Sequence, residues 1–236
     1  MSRSMNTENP NPAARFIQWD GERGGFRYYD KQQEERVPIG LPFGFLVLDT
    51  LSTIKGWNEV EKSNYWSNEV RDIKKDVLNV RSKGGLVATG FYDDVIANRN
   101  CRGAKYCQSV YIGAKVNGKL AIWNIQMVGA CLGAWIDFRK KNKIYDGAIQ
   151  VNSFVEGTKG RTTYQIPVFE KIEVSDETDA EAKLLDKQLQ EYLKLYFQRT
   201  SESVASAHVE EKIEPVPIDA EYPEAINQEP ADDLPF

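Results

Sequence analysis

Aromatic rings and basic side chains alternate through the middle of this chain, a pairing that lets flat faces stack on bases while cations meet phosphates. Trp57, Tyr65 and Trp66 precede Arg71, Lys74, Lys75, Arg81 and Lys83. Tyr92, Tyr106 and Tyr111 are interspersed with Arg99, Arg102, Lys105 and Lys115. Arg139, Lys140 and Lys141 close a candidate helix, and Lys159 and Arg161 sit at a candidate loop tip. For any single ring, packing in the core is an equal reading, because Trp and Tyr are often largely buried. The set is a stronger indication than its members.

The same inventory is poor in catalytic chemistry. The one histidine, His208, lies in a polar, acidic stretch, so most constellations lack their usual general base. Cys101, Cys107 and Cys131 cannot all pair within one chain and read as free thiols. A Cys3His zinc site would need His208 and lacks a paired-ligand spacing. There is no P-loop ending, no Gly-x-Ser-x-Gly elbow and no metal-binding His pair. The expectation is therefore no catalytic residue, no metal and no cofactor. A metal-dependent nuclease built on Asp72 with Lys74, or on Asp93 with Asp94, is the weaker enzymatic alternative, since carboxylates at such spacing are common.

Charge divides the chain. Of 236 residues, with a net charge of -5, positions 201–236 hold ten acidic side chains against the lone base Lys212. Up to residue 172 there are 25 bases and 18 acids. A basic body followed by an acidic tail points towards nucleic acid. The tail carries five prolines and no sustained apolar period, which predicts disorder. At 41% hydrophobic the composition is globular, and no apolar run approaches the roughly 20 residues of a membrane span. The polar start, 1–12, lacks the apolar stretch of a secretory leader, which predicts a cytoplasmic protein.

The elements expected to position these residues are mostly strands. Residues 15–29 read as two strands around a Gly-rich turn, and 43–54 as a clear strand. A loop is expected over 57–66, with another strand region at 69–81 ended by Gly84 and Gly85. Asn117-Gly118 marks a two-residue hairpin, which pairs Val116 with Lys119, Ala114 with Ala121, Ile112 with Trp123 and Val110 with Ile125 on a core face. The other face, with Ser109, Tyr111 and Lys115 opposite Gln126, Asn124 and Leu120, is either a base-binding surface or an ordinary solvated face. The segment from Gly129 to Lys141 reads as the beginning of a helix or as a further strand, and a long hairpin is expected over 148–155 and 162–174, followed by a helix opened by a capping box at Thr178 and running to about Thr200. Leu185, Leu189, Tyr192 and Tyr196 lie on one side of that helix. The fold class expected is mainly β with helices.

The tail ends Asp232-Asp233-Leu234-Pro235-Phe236, acids followed by an apolar and aromatic tip. This ending, after a β-rich body with scattered aromatics and bases, resembles the single-stranded DNA-binding proteins of bacteria and phages. The resemblance implies an OB-like antiparallel barrel over 15–174, a disordered segment 1–14, a helix 175–200 on or extending the domain, and a disordered tail 201–236. It implies single-stranded DNA as ligand, in the host cytoplasm if phage-encoded. The tip Asp232, Asp233, Leu234, Pro235 and Phe236 would recruit replication, recombination or repair proteins. The tail could also occupy the basic channel when DNA is absent, its root-mean-square span of roughly 30 to 36 Å being enough to reach it. The competing reading is an interaction or structural protein with an acidic tail whose body never touches DNA.

Overall fold

A computed structural model describes residues 11–116 and 118–210. It is mainly β with helices. Among the described residues eleven strands form one mixed sheet, ordered β3-β2-β1-β9-β8-β4-β5-β6-β7, with β10 joined to β4 and β11 to β10. The strands are β1 (Arg15–Asp20), β2 (Gly25–Asp30), β3 (Glu35–Ile39), β4 (Phe43–Asn58), β5 (Ser63–Ser67), β6 (Leu78–Ser82), β7 (Gly85–Gly90), β8 (Ala104–Val116), β9 (Lys119–Met127), β10 (Ala148–Lys159) and β11 (Thr162–Ile172). Three α-helices accompany them, α1 (Tyr92–Ala97), α2 (Gly129–Lys141) and α3 (Asp176–Glu210), with a 3-10 turn at Arg99–Cys101.

β4 is the axis of the molecule. One of its edges pairs with β8 from Leu46 to Gly56. The other edge is shared: Phe43–Phe45 pair with β10, Ser52 bridges Val70, and Lys55–Asn58 pair with β5. Its middle is almost continuously buried, as expected of a strand covered on both faces. The inner face joins Phe45 and Val47 to Val110, Ile112, Trp123 and Ile125. Helix α2, between β9 and β10, places Cys131 and Trp135 in that interior, where the Trp135 ring lies 5.3 Å from Phe169.

The Asn117-Gly118 hairpin has the expected register, with Val116 opposite Lys119, Ala114 opposite Ala121, Ile112 opposite Trp123 and Val110 opposite Ile125. The sheet is not wholly antiparallel, because β1 runs parallel to β9. Positions 57–66 are a hairpin rather than a loop: β4 continues to Asn58, and β5 returns along it. The strand expected over 69–81 begins only at Leu78. Of the segment expected to be disordered at 1–14, Ala14 is tied down by its N–H, which donates to the Ile122 carbonyl, and Asn11 donates to the Tyr111 hydroxyl; 1–10 lie outside the described residues.

The last helix differs from expectation at both ends. Its first turn is capped by Ser175, whose hydroxyl accepts from the Thr178 N–H, so Thr178 is inside the helix rather than its cap. The Glu181 carboxylate, the far end of the expected capping box, instead accepts from the Leu120 N–H. The helix runs through Glu210, so the expected start of the disordered tail at 201 falls within it, and the remainder of the tail lies outside the described residues.

Gly56 and Gly103 allow β4 and β8 to close on each other where the sheet begins its outer arm. A Cβ at Gly56 would meet the Gly103 carbonyl oxygen at 2.2 Å, and Gly103 itself has φ +97°. Gly56→Ala is expected to destabilise by about 1–3 kcal/mol in urea unfolding. Gly133→Ala, on an open helical position with nothing within 4 Å, should be neutral or stabilising by up to about 1 kcal/mol.

Candidate nucleic-acid interface

The outer face of β4, β8 and β9 is divided. Towards the Gly118 turn it is covered by α3, whose Ala182, Leu185, Leu189 and Leu193 pack on Leu46, Leu48, Leu51, Leu120 and Ile122. A leucine buried this fully contributes roughly 1.5–3 kcal/mol. The surface around Tyr111, one of the two readings of which was a base-binding face, is therefore interior. Tyr111 is 0% exposed, and its hydroxyl donates to the Glu69 carboxylate at 2.8 Å. This removes Tyr111 from the candidate stacking rings.

A polar layer lies within this apolar contact. Asn124 donates to the Ser109 hydroxyl, which donates in turn to Glu69. The Glu69 N–H donates to the Tyr196 hydroxyl on α3. Arg71 pairs with Asp49 at 2.6 Å, the Gln190 amide donates to the same carboxylate at 2.9 Å, and the guanidinium lies over Phe197. Arg71 is thus held as a structural link between β4 and α3 rather than presented as a free phosphate contact. Burial raises the Glu69 pKa, opposed by the hydrogen bonds from Ser109 and Tyr111. Burial likewise pushes Tyr196 up to about 12.

Beyond α3 the same sheet face opens. Register carries one row across four strands: Lys105 on β8 is opposite Lys55 on β4, Lys55 is opposite Trp66 on β5, and Trp66 is opposite Arg81 on β6. Directly opposed residues share a face, so these four side chains lie on one side of the sheet along about 14 Å. Trp57, two residues beyond Lys55, belongs to that side as well. Trp57 is 43% exposed and Trp66 39%.

Lys55, Trp57, Trp66 and Lys105 border a groove of about 1590 Å³, and Arg81 continues the row beyond its lining. Arg36, Lys55, Arg99, Arg102 and Lys105 line it, against the carboxylates Glu59 and Glu61. Gln18 and Gln126 meet at its inner end, their amides hydrogen-bonded at 2.9 Å. Two lysines placed directly opposite each other cost a sheet stability. None of the ion pairs among the described residues includes Lys55 or Lys105, although the Lys55 charge acts favourably on the buried Glu69 carboxylate.

The back of this arm is ordinary core. Ile54, Tyr65 and Val80 pack there with Val95 and Cys101. The Tyr65 hydroxyl donates to the Asn100 carbonyl at 2.6 Å, fixing the 3-10 turn that carries Arg99. Tyr65 borders the groove yet is 2% exposed, so it anchors rather than stacks. Tyr106 is opposite Ile54 and meets Tyr92 edge to face at 6.2 Å, placing both rings on the back.

The structure thus gathers Trp57, Trp66, Arg81, Arg99, Arg102 and Lys105 from the sequence candidates. It adds Lys55 and Arg36. The other cations are dispersed. Lys74 and Lys75 lie in an exposed turn, with Lys75 paired to Asp72, and Lys83 is exposed between β6 and β7. Lys115 reaches the Thr178 hydroxyl near the start of α3. Arg139, Lys140 and Lys141 end α2, Lys140 pairing with Asp137, and Lys159 and Arg161 flank the exposed β10–β11 turn. The signal for Lys55 is the alternation of Lys55 and Trp57, which becomes legible once β4 is seen to continue to Asn58.

Of the nuclease candidates, Asp72 holds the turn around Lys74 and Asp93 and Asp94 occupy the first turn of α1. Among the described residues no three metal-ligating side chains cluster. The three cysteines are buried and unbridged, burial pushing the Cys107 thiol up to about 12. No helix among them is long and apolar enough to cross a membrane. Compared with known proteins, the chain matches no family model, no curated protein and no solved structure.

The polar layer beneath α3 yields a pH test. With its folded pKa raised above the ordinary 4.5, Glu69 contributes stability fully at pH below that value, and the contribution is lost as pH rises through the folded pKa. Thermal melts should show Glu69→Gln matching the native chain at pH 4 and exceeding it in Tm at pH 8. A Tm difference independent of pH would contradict this assignment.

Proposed function

We propose that this protein binds single-stranded DNA without catalysis and with little sequence preference, using the groove beside β4, β5 and β8. The observation that carries the reading is the row Lys105, Lys55, Trp66 and Arg81 on one open sheet face, with Trp57 alongside. Like charges placed directly opposite each other next to half-exposed indoles are unfavourable for the folded chain alone, and a polyanion with exposed bases meets both needs.

The connectivity supports the OB-like reading of the body. β4, β8 and β9 follow one another as antiparallel neighbours, α2 leads to β10, β10 returns to β4, and β11 pairs with β10. This is a five-stranded order with a helix between its third and fourth strands. In OB-folds the face of the second and third strands and the neighbouring loops bind oligonucleotides. Here α3 takes half of the corresponding face, and the β5–β7 arm, inserted between the first and second strands, extends the other half.

The acidic tip, Asp232 to Phe236, completes the proposal. It lies outside the described residues, and its role is recruitment of replication, recombination or repair proteins: an apolar ring flanked by anions fits a small apolar pocket rimmed by Lys or Arg. When DNA is absent the tail competes for the groove.

Titrating a labelled thymine oligonucleotide tests the interface. Binding should weaken as salt rises, with each lost phosphate contact reducing the log–log salt slope by about 0.7. Lys55→Ala and Lys105→Ala should each weaken binding and flatten that slope, while Lys141→Ala should leave both unchanged. Equal effects from all three would contradict the location.

A further inference from the structure

We infer that Trp57 and Trp66 form a two-walled clamp for one unstacked base, with Lys55 and Lys105 on one side and Arg81 on the other meeting the flanking phosphates. The inference rests on the reading of the groove as a single-strand interface and names the feature of the strand that it recognises.

The five tryptophans divide sharply. Trp123 and Trp135 are buried, and Trp19 packs against the same interior with its indole N–H donating to the Gln165 carbonyl. Only Trp57 and Trp66 hold large ring areas in the open. They stand on adjacent antiparallel strands at diagonal positions, since Lys55 is opposite Trp66 and Asn64 opposite Trp57. Diagonal neighbours of this kind are about 7–8 Å apart. A planar base held between two rings needs about 7 Å, twice the roughly 3.5 Å of carbon contact.

Neither indole is spent on another ring: the aromatic pairs among the described residues include neither Trp57 nor Trp66. Asn64, exposed beside Trp57, offers both a donor and an acceptor to a base edge. The site therefore takes an exposed base of any type but demands that it be free of its own stack. Duplex fails that demand, and so does a strand without bases.

The full chain would be titrated by intrinsic fluorescence and anisotropy with a 12-residue thymine oligonucleotide, an abasic backbone of the same length and a 12-base-pair duplex. The thymine strand should quench the two exposed indoles and bind most tightly. Trp57→Leu and Trp66→Leu should each weaken it by about 10-fold. The double variant should be little worse than either, because one wall cannot clamp, and should bind thymine and abasic strands alike. Trp66→Phe, keeping a ring, should retain most of the affinity, and matching thermal melts show that the variants fold. Equal binding of thymine and abasic strands by the native chain, or losses that multiply in the double variant, would overturn the clamp. Salt-sensitive thymine binding untouched by the leucine variants overturns the clamp but leaves the groove as interface. No thymine binding at low salt overturns both.

Discussion

The contact of Leu189 and Leu193 with the outer face of β4, β8 and β9 determines what the rest of the molecule can offer a ligand. A sheet face of Leu46, Leu51, Leu120 and Ile122 cannot be left in water without a large apolar cost, and α3 covers it. That covering buries Tyr111, Ser109 and Asn124 as well. The Ser109 and Tyr111 hydroxyls then need an acceptor inside the contact, and Glu69 supplies it, at the expense of a carboxylate held away from water, while Asn124 donates to Ser109. Where α3 no longer covers the sheet, the same face changes character to Lys55, Trp57, Trp66, Lys105 and Arg81.

The open arm is made firm from behind. Ile54, Tyr65, Leu78 and Val80 form a separate core with α1 and Cys101, so the strands carrying the cations do not depend on a ligand for their order. Gly56 and Gly103 let β4 and β8 approach at the point where the face turns from covered to open. The arm is therefore a preorganised surface, and binding to it would require little ordering of backbone. Its opposed cations cost something in the free protein through mutual repulsion, a cost that the phosphates of a bound strand would offset.

Much of the architecture was legible in residue order. The Asn117-Gly118 turn set the pairing of β8 with β9 residue by residue, and the Leu185, Leu189, Tyr192, Tyr196 stripe identified the buried side of α3. What the stripe could not say was which sheet face it would meet. Tyr111 and Asn124 alternate with core residues as solvent-facing ones do, and only the docking of a helix distant in sequence made them interior. The opposite error occurred at Trp57: Gly56 and the polar residues after it resemble a loop, yet pairing with β5 extends the strand. Tyr106 is on the right segment but the wrong face, because its orientation depends on the register between β4 and β8, and Tyr92 of α1 meets it there. The dispersed cations at Arg139, Lys140 and Lys141 show the limit of composition, which counts charges without bringing them together.

In the proposed binding mode a strand lies on the open arm and not on the face beneath α3. Photocrosslinking a 5-iodouracil-substituted oligonucleotide to the full chain, followed by peptide mass spectrometry, addresses that directly. The account predicts adducts on the peptides containing Trp57 and Trp66, lost in excess unlabelled thymine strand. Adducts confined to the peptide containing Tyr111, or to the end of α2 around Arg139 to Lys141, would contradict it.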